Sequence, residues 1–207
     1  RERMSGPMTP DTPSGLAAIR REMARQRTDA RASYRDAGPR AAEVAESLRR
    51  SGRLLLLGMG ASHGLNRAVE PLYRDRGLDA VALPLSEQLD QPLSTARRTV
   101  LVTSQSGESA EAVRWLAEAG PGVDAYGVTM DGASTLARSL PSLIGAGGVE
   151  TAFAATRSTF VGLALHAAVL AALRADPSDF LDVLDVEDEP DITDALHRLA
   201  GVTCVVT

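Results

Sequence analysis

Residues 54–57 are four consecutive leucines, closed by Gly58. A run that is apolar on both alternating faces does not suit a half-solvated sheet. It reads as a strand buried on both sides, the kind found in parallel sheets covered by helices. Such a strand requires parallel partners, each reached through a crossover long enough to hold a helix. The sequence supplies them. Ala80–Leu83, Thr99–Thr103, Ala125–Thr129 and a weaker Ser142–Ile144 read as strands. Helical patterns at His63–Arg76, Ser86–Leu89, Ala110–Ala119 and Ser134–Arg138 alternate with them, and a long apolar helix spans Thr156–Arg174. Pro71 is expected to kink the first of these helices, and Gly120-Pro121 closes the third. Ahead of the leucine strand, Leu16–Arg35 and Arg40–Arg50 read as polar, Arg-rich helices split at Gly38-Pro39.

This alternation predicts an α/β protein. The expected fold is a three-layer, doubly wound parallel sheet, flavodoxin-like, with five strands in the order 2-1-3-4-5, because crossovers are right-handed. Residues 1–15 read as a mobile leader, 16–50 as N-terminal helices, 51–176 as the sheet domain and 177–200 as a connector with a helix. The acidic stretch Asp182–Asp194 belongs to that connector as a solvated segment, and Asp191–Leu199 is its helix. GVTCVVT, residues 201–207, reads as a further strand. It is either an edge of this sheet or the opening of another domain.

Composition excludes several chemistries. The formal net charge of -5 argues against a nucleic-acid surface. All 22 basic residues are arginines, so neither a Schiff-base lysine nor a P-loop lysine comes from this chain. Cys204 is the only cysteine; it reads as buried packing and cannot form an internal disulfide, so a reduced, cytoplasmic setting is expected. His63, His166 and His197 are far apart, and no Cys/His cluster has zinc-ligand spacing. No metal or cofactor is expected. The longest apolar region, Phe160–Leu173, is too short to span a bilayer, and His166 lies within it.

In doubly wound sheets, ligands bind beyond the carboxyl ends of the strands, where the strand order reverses. Two polar loops are expected there. The first is Gly58-Met59-Gly60-Ala61-Ser62. It lacks the third glycine of a dinucleotide fingerprint, with His63 in its place, and Asp79 precedes the second strand rather than ending it, so a nicotinamide site is disfavoured. The second is Ser104-Gln105-Ser106-Gly107-Glu108-Ser109. A strand-to-helix junction offers free N–H groups and the positive end of a helix dipole. Ser106 reads as the N-cap of the following helix, with Ser109 in its first turn. Gly107 is expected to let the backbone approach a ligand closely. Ser104, Gln105, Ser106 and Ser109, with Ser62 from the first loop, form a hydroxyl-and-amide set suited to phosphate oxygens. Glu108 is expected to point outward. The order S-x-S-G does not match a serine nucleophile elbow.

The Ser104–Ser109 motif resembles the signature of the sugar isomerase (SIS) domain, and most of all the isomerase half of glucosamine-6-phosphate synthase and its stand-alone relatives. Residues 58–62 are similar to that family's first loop, Ser86-Glu87-Gln88-Leu89 to a Ser-Glu-x-x-Leu segment, and Glu150–Arg157 to an E-x-x-V-A-S-T-K stretch. The resemblance spans about residues 16–175. It implies that Ser62, Ser104, Gln105, Ser106 and Ser109 hold the phosphate of a hexose phosphate such as fructose 6-phosphate or glucosamine 6-phosphate. It further implies a sugar contact at Phe153, with Gly60 and Gly107 as further substrate-binding candidates, and Arg157 in place of a usual lysine. The apolar helix Thr156–Leu173 suggests a buried interface or an inter-domain core, so a homodimer is expected. In that family two such domains occur in tandem. A glutamate base and a lysine come from the second domain and tail, and a histidine from a neighbouring subunit. No such glutamate is evident here, so Glu150 and His63 are the catalytic candidates within the chain. His166 is a further one, though its apolar setting reads as core. No glutamine-hydrolysing domain precedes the match, so ammonia release from glutamine is not expected. Three readings follow: part of a tandem-domain isomerase acting by proton transfer, a non-catalytic or regulatory phosphosugar-binding module, or a one-domain isomerase.

Overall fold

A computed structural model describes residues 15–120 and 122–185. Its five strands are β1 (Arg53–Gly58), β2 (Asp79–Pro84), β3 (Thr99–Thr103), β4 (Asp124–Thr129) and β5 (Ser142–Ile144). They form one sheet in the order β2-β1-β3-β4-β5, and every pairing is parallel. The strand order reverses between β1 and β3, where Gly58 is the ladder partner of Thr103.

The leucine run explains the layering. Leu54 and Leu56 face one layer, formed by α1 (Gly15–Asp36), α2 (Gly38–Ser51), α3 (Gly60–Arg74) and α7 (Arg157–Ala172). Leu55 and Leu57 face the other, formed by α4 (Leu85–Asp90), α5 (Ala110–Glu118) and α6 (Thr135–Ser139). All four leucines are fully buried. Strand alternation thus divides one homopolymeric run between two cores.

α7 is apolar around its circumference because α1, α2 and α3 all pack on it. Gly162 lets it pack tightly on α3, since a Cβ there would overlap Leu65 Cδ2. α1 buries Glu22, Asp29, Ala30 and Ser33 against α7 and the loop after β5. The carboxylates are matched by Arg157, whose side chain is fully buried. Its Nε donates to Glu22 at 2.5 Å, Nη1 to Asp29 at 3.2 Å and to the Ala146 carbonyl at 3.1 Å, and Nη2 to the Gly148 carbonyl at 2.8 Å.

Two boundaries differ from the sequence reading. α3 begins at Gly60 instead of His63, so Ser62 lies on a helix rather than in a loop; Pro71 sits in its last turn. Within the segment read as an acidic connector, Ser178–Asp185 forms α8. Phe180, Leu181 and Leu184 pack on the α1–α7 core, and Arg31 binds both the Leu184 carbonyl and the Asp185 carboxylate. The leader residues 1–14, the expected helix Asp191–Leu199 and the strand 201–207 lie outside the described residues. Among the described residues no helix is long and apolar enough to cross a membrane.

Candidate functional site

Five helices start at the carboxyl end of the sheet, and each start carries N–H groups without helical acceptors. Their partners differ. α6 is capped by Ser134, whose Oγ accepts from Ala137 N, and Glu108 accepts from Thr135 N at 2.6 Å. That contact holds the Glu108 carboxyl below its usual range. Glu108 is exposed, as expected, but its carboxylate serves the start of α6 rather than that of its own helix. α7 is capped by Glu150. Its Oε1 accepts from Thr156 N, Thr156 Oγ1 and Arg157 N, and its Oε2 from Ser158 N and Ser158 Oγ. Burial alone would raise the Glu150 carboxyl, but the Ser158 and Thr156 donors outweigh it and hold it below the usual range. α4 starts beyond the edge strand β2, away from the strand-order reversal. The two helices that flank the reversal, α3 and α5, have no side-chain cap.

The Ser104–Ser109 loop is held rigidly between them. Ser104 N donates to Val128 O and Met130 N to Gln105 O, each at 3.0 Å, which extends the sheet pairing past the end of β3. Gly107 N returns to Ser104 O, and Leu136 N donates to Gly107 O. Ser104 Oγ lies 3.2 Å from Ser109 Oγ, so these two hydroxyls form one unit. Ser109, not Ser106, is the N-cap residue of α5; Ser106 Oγ instead accepts from Glu108 N at 3.2 Å within the loop. Gly107 also has a different role from the one expected. Its φ is +66°, and a Cβ would overlap Ser134 Oγ, so the missing side chain faces α6 rather than a ligand. Gly60, at the start of α3, has φ +52° with open space beside it.

On the α3–α7 face, a cleft of about 130 Å³ is lined by Met59, Ser62, Thr103, Gln105, Ala155 and Thr159, among others. Gln105 is oriented by donation from Nε2 to the Glu150 carbonyl at 3.2 Å. Of the expected residues, Ser62 and Gln105 line the cleft. Ser104, Ser106 and Ser109 belong to the adjoining loop, and Ser104 is the most deeply placed at 5 % exposure. Phe153 does not line the cleft; its side chain is 84 % exposed.

The catalytic candidates fare poorly. Glu150 is saturated by five donors and holds a helix in place, which leaves no lone pair directed at a substrate proton. His63 lies in the first turn of α3, outside the cleft lining, with Nδ1 buried and unpartnered. His166 is fully buried. Its Nδ1 contacts Tyr73 Oη at 2.9 Å, and burial pushes its pKa down to about 4. It is a core histidine. No carboxylate lines the cleft, and among the described residues no group of three His, Cys, Asp or Glu side chains could hold a metal ion.

Sequence reasoning missed Thr103, Asn66, Ser158 and Thr159. The available signals were a hydroxyl at the final position of a buried strand and an amide on the inward face of α3. A larger concavity, about 1120 Å³, lies at the amino ends of β3 and β4, lined by Arg50, Arg97, Arg98 and Trp115, among others. It is an open groove on the side opposite to the uncapped helix starts.

No family model and no curated protein matches this sequence. Solved structures do. The chain is similar to tagatose-6-phosphate ketose/aldose isomerase from Escherichia coli, with a TM-score of 0.70 and 22 % identity over 92 % of this chain and 56 % of that one. It is similar to the C-terminal domain of glucosamine-fructose-6-phosphate aminotransferase from Francisella tularensis, with a TM-score of 0.65 and 16 % identity over 86 % of this chain and 54 % of that one. It therefore spans just over half the length of each. Against the sugar isomerase domain of the RpiR transcription factor from Sphaerobacter thermophilus, the TM-score is 0.59 and the identity 17 %, over 83 % of this chain and 96 % of that one. The fold is thus shared with these structures, although no family model matches the sequence. The chain has the fold of the sugar isomerase (SIS) domains.

Proposed function

We propose that this chain binds a phosphorylated sugar, with the phosphate held by Ser62, Ser104, Gln105, Ser106 and Ser109. The observation that carries the reading is the pattern of helix caps. At the carboxyl end of the sheet, α6 and α7 have their starts filled by the chain's own side chains, while the two helices flanking the strand-order reversal have none. Uncapped helix N-termini converging with hydroxyls form an anion site that needs no lysine. The names of the structural neighbours, which include a tagatose-6-phosphate isomerase and a sugar isomerase domain, agree with a sugar phosphate as ligand.

In this reading the chain is the phosphosugar-binding part of a sugar-phosphate or amino-sugar-phosphate isomerase of the ketose/aldose type, without a glutaminase activity of its own, working as a dimer in the cytoplasm. Such a reaction moves a proton between adjacent carbons and needs a positioned base. The cleft supplies none, so the base comes from other polypeptide. A second reading, a regulatory phosphosugar-binding module, is favoured by that same absence of a cleft carboxylate and by the likeness to a transcription factor's domain.

Titration of wild type and Ser104→Ala with fructose 6-phosphate and glucosamine 6-phosphate tests the binding claim. Ser104→Ala is expected to weaken binding about tenfold or more, since it removes one donor and unpairs Ser109. Equal binding by both proteins, or none by wild type, refutes the phosphate cradle. Isomerase turnover by the chain alone would contradict the assignment of the base to other polypeptide.

A further inference from the structure

The Thr103 hydroxyl, like that of Ser158, which donates to Glu150, has its proton committed within the protein. Thr103, the last residue of β3, lines the cleft and is 5 % exposed. Its Oγ1 donates to Asn66 Oδ1 at 2.9 Å. Asn66 is fully buried on α3 and packs against Gly58, where a Cβ would stand 3.0 Å from Nδ2. A threonine hydroxyl has one proton and two lone pairs. In this amide orientation, which leaves Asn66 Nδ2 buried without a partner, the proton is committed to Asn66 and Thr103 presents only lone pairs to the cleft. Ser62, which lines the same cleft, makes no hydrogen bond through its hydroxyl among the described residues, so its proton is free.

These two hydroxyls recognise opposite chemistry. A phosphate dianion only accepts hydrogen bonds, so Ser62 suits it and Thr103 opposes it. A sugar hydroxyl can donate, and Thr103 suits that. We infer that Thr103 is a specificity-determining residue that accepts a hydrogen bond from one hydroxyl of the bound sugar, with Asn66 as the positioning residue that fixes its proton. This rests on the phosphosugar reading above and adds a direction to it. The phosphate lies toward the serine loop, and the polyol end lies in the α3–α7 cleft against Thr103. A site built to accept from a ligand hydroxyl discriminates strongly against an analogue lacking it, because a buried acceptor is then left unpaired.

The test is calorimetric titration of wild type, Thr103→Val and Thr103→Ser with inorganic phosphate, fructose 6-phosphate, and its single deoxy and deoxyfluoro analogues. Wild type is expected to lose about tenfold in affinity at one deoxy position. The deoxyfluoro analogue at that position should lose as much, because fluorine cannot donate. Thr103→Val, nearly isosteric, should bind fructose 6-phosphate about tenfold more weakly, no longer distinguish it from that deoxy analogue, and bind inorganic phosphate as wild type does. Thr103→Ser should behave as wild type. Unchanged fructose 6-phosphate binding by Thr103→Val overturns the inference, as does full binding of every deoxyfluoro analogue by wild type. Parallel loss of inorganic phosphate in Thr103→Val shows a structural role only and also overturns it. Failure of wild type to bind either probe overturns the phosphosugar reading together with this one, which separates the two failures.

Discussion

Replacing Glu150 with glutamine separates a structural carboxylate from a catalytic one. The side chain keeps its shape but exchanges one acceptor oxygen for an NH₂ donor. Glu150 Oε1 accepts from three groups and Oε2 from two. The better orientation of the amide therefore still faces Ser158 N and Ser158 Oγ. The Ser158 hydroxyl can rotate to accept from the amide, but the backbone N–H cannot, and it is left buried without an acceptor. That costs about 1–3 kcal/mol. Loss of the negative charge at the α7 N-terminus adds about 1 kcal/mol. A total near 3 kcal/mol corresponds to a fall in Tm of roughly 6–12 °C for a domain of this size. Thermal unfolding followed by circular dichroism or calorimetry measures it. The carboxyl is held below its usual range in the native state, so its stabilisation is complete above the unfolded pKa of about 4.3. It is lost as pH falls through the lower native value, and Glu150→Gln should lack that part of the acid transition. A Tm within about 1 °C of wild type would refute the capping argument.

Other outcomes follow from the same structure. His166 is held neutral by burial with a pKa near 4, so the unfolded chain takes up a proton that the native state refuses, and stability falls as pH drops from about 6.5 toward 4. His166→Gln should flatten that part of the urea-midpoint profile, and an unchanged slope would contradict it. Arg157→Met leaves Glu22 buried beside no cation and Asp29 with only the half-exposed Arg25, and should cost about 3–5 kcal/mol by urea unfolding, with partial recovery on adding Glu22→Gln. Gly107→Ala combines a left-handed φ with overlap against Ser134 and should destabilise by more than about 2 kcal/mol. Ser134→Ala should not rescue it, because the Ser134 Cβ also lies 2.5 Å from the added carbon.

The sheet was legible because its strands are doubly buried. Leu54–Leu57 and Thr99–Thr103 have no alternative to a covered parallel sheet, and the order β2-β1-β3-β4-β5 follows from right-handed crossovers. The serine-rich loop was legible for a related reason: three hydroxyls and an amide at a strand-to-helix junction exceed what one helix cap uses. What could not be read was which cap goes where. In the sequence Glu150 is an acid opening the stretch Glu150–Arg157, and only the fold shows its oxygens directed at Thr156, Arg157 and Ser158. Gly107 illustrates the same limit, since its left-handed φ was foreseeable but its closeness to Ser134 is not a local property. The polar character of α1 was misleading as well. The segment reads as a polar, Arg-rich helix, and only the fold shows Glu22 and Asp29 buried against Arg157, more than a hundred residues later. α8 was missed because its acids outweigh Phe180, Leu181 and Leu184 in composition but not in placement.

The Arg157 cluster also gives α1 a place in the order of assembly. Before α1 docks, the guanidinium has only the Ala146 and Gly148 carbonyls as partners, and complete burial of an uncompensated charge is strongly unfavourable. The start of α7 therefore cannot close over Arg157 until the beginning of the chain has arrived. The two helices gain protection together, as one cooperative unit closed across 128 and 135 residues of sequence. During synthesis, α1 leaves the ribosome long before Arg157 does; Asp29 then has Arg25 of its own helix as a partner, while Glu22 waits for the guanidinium. α1 becomes part of the fold only when α7 appears.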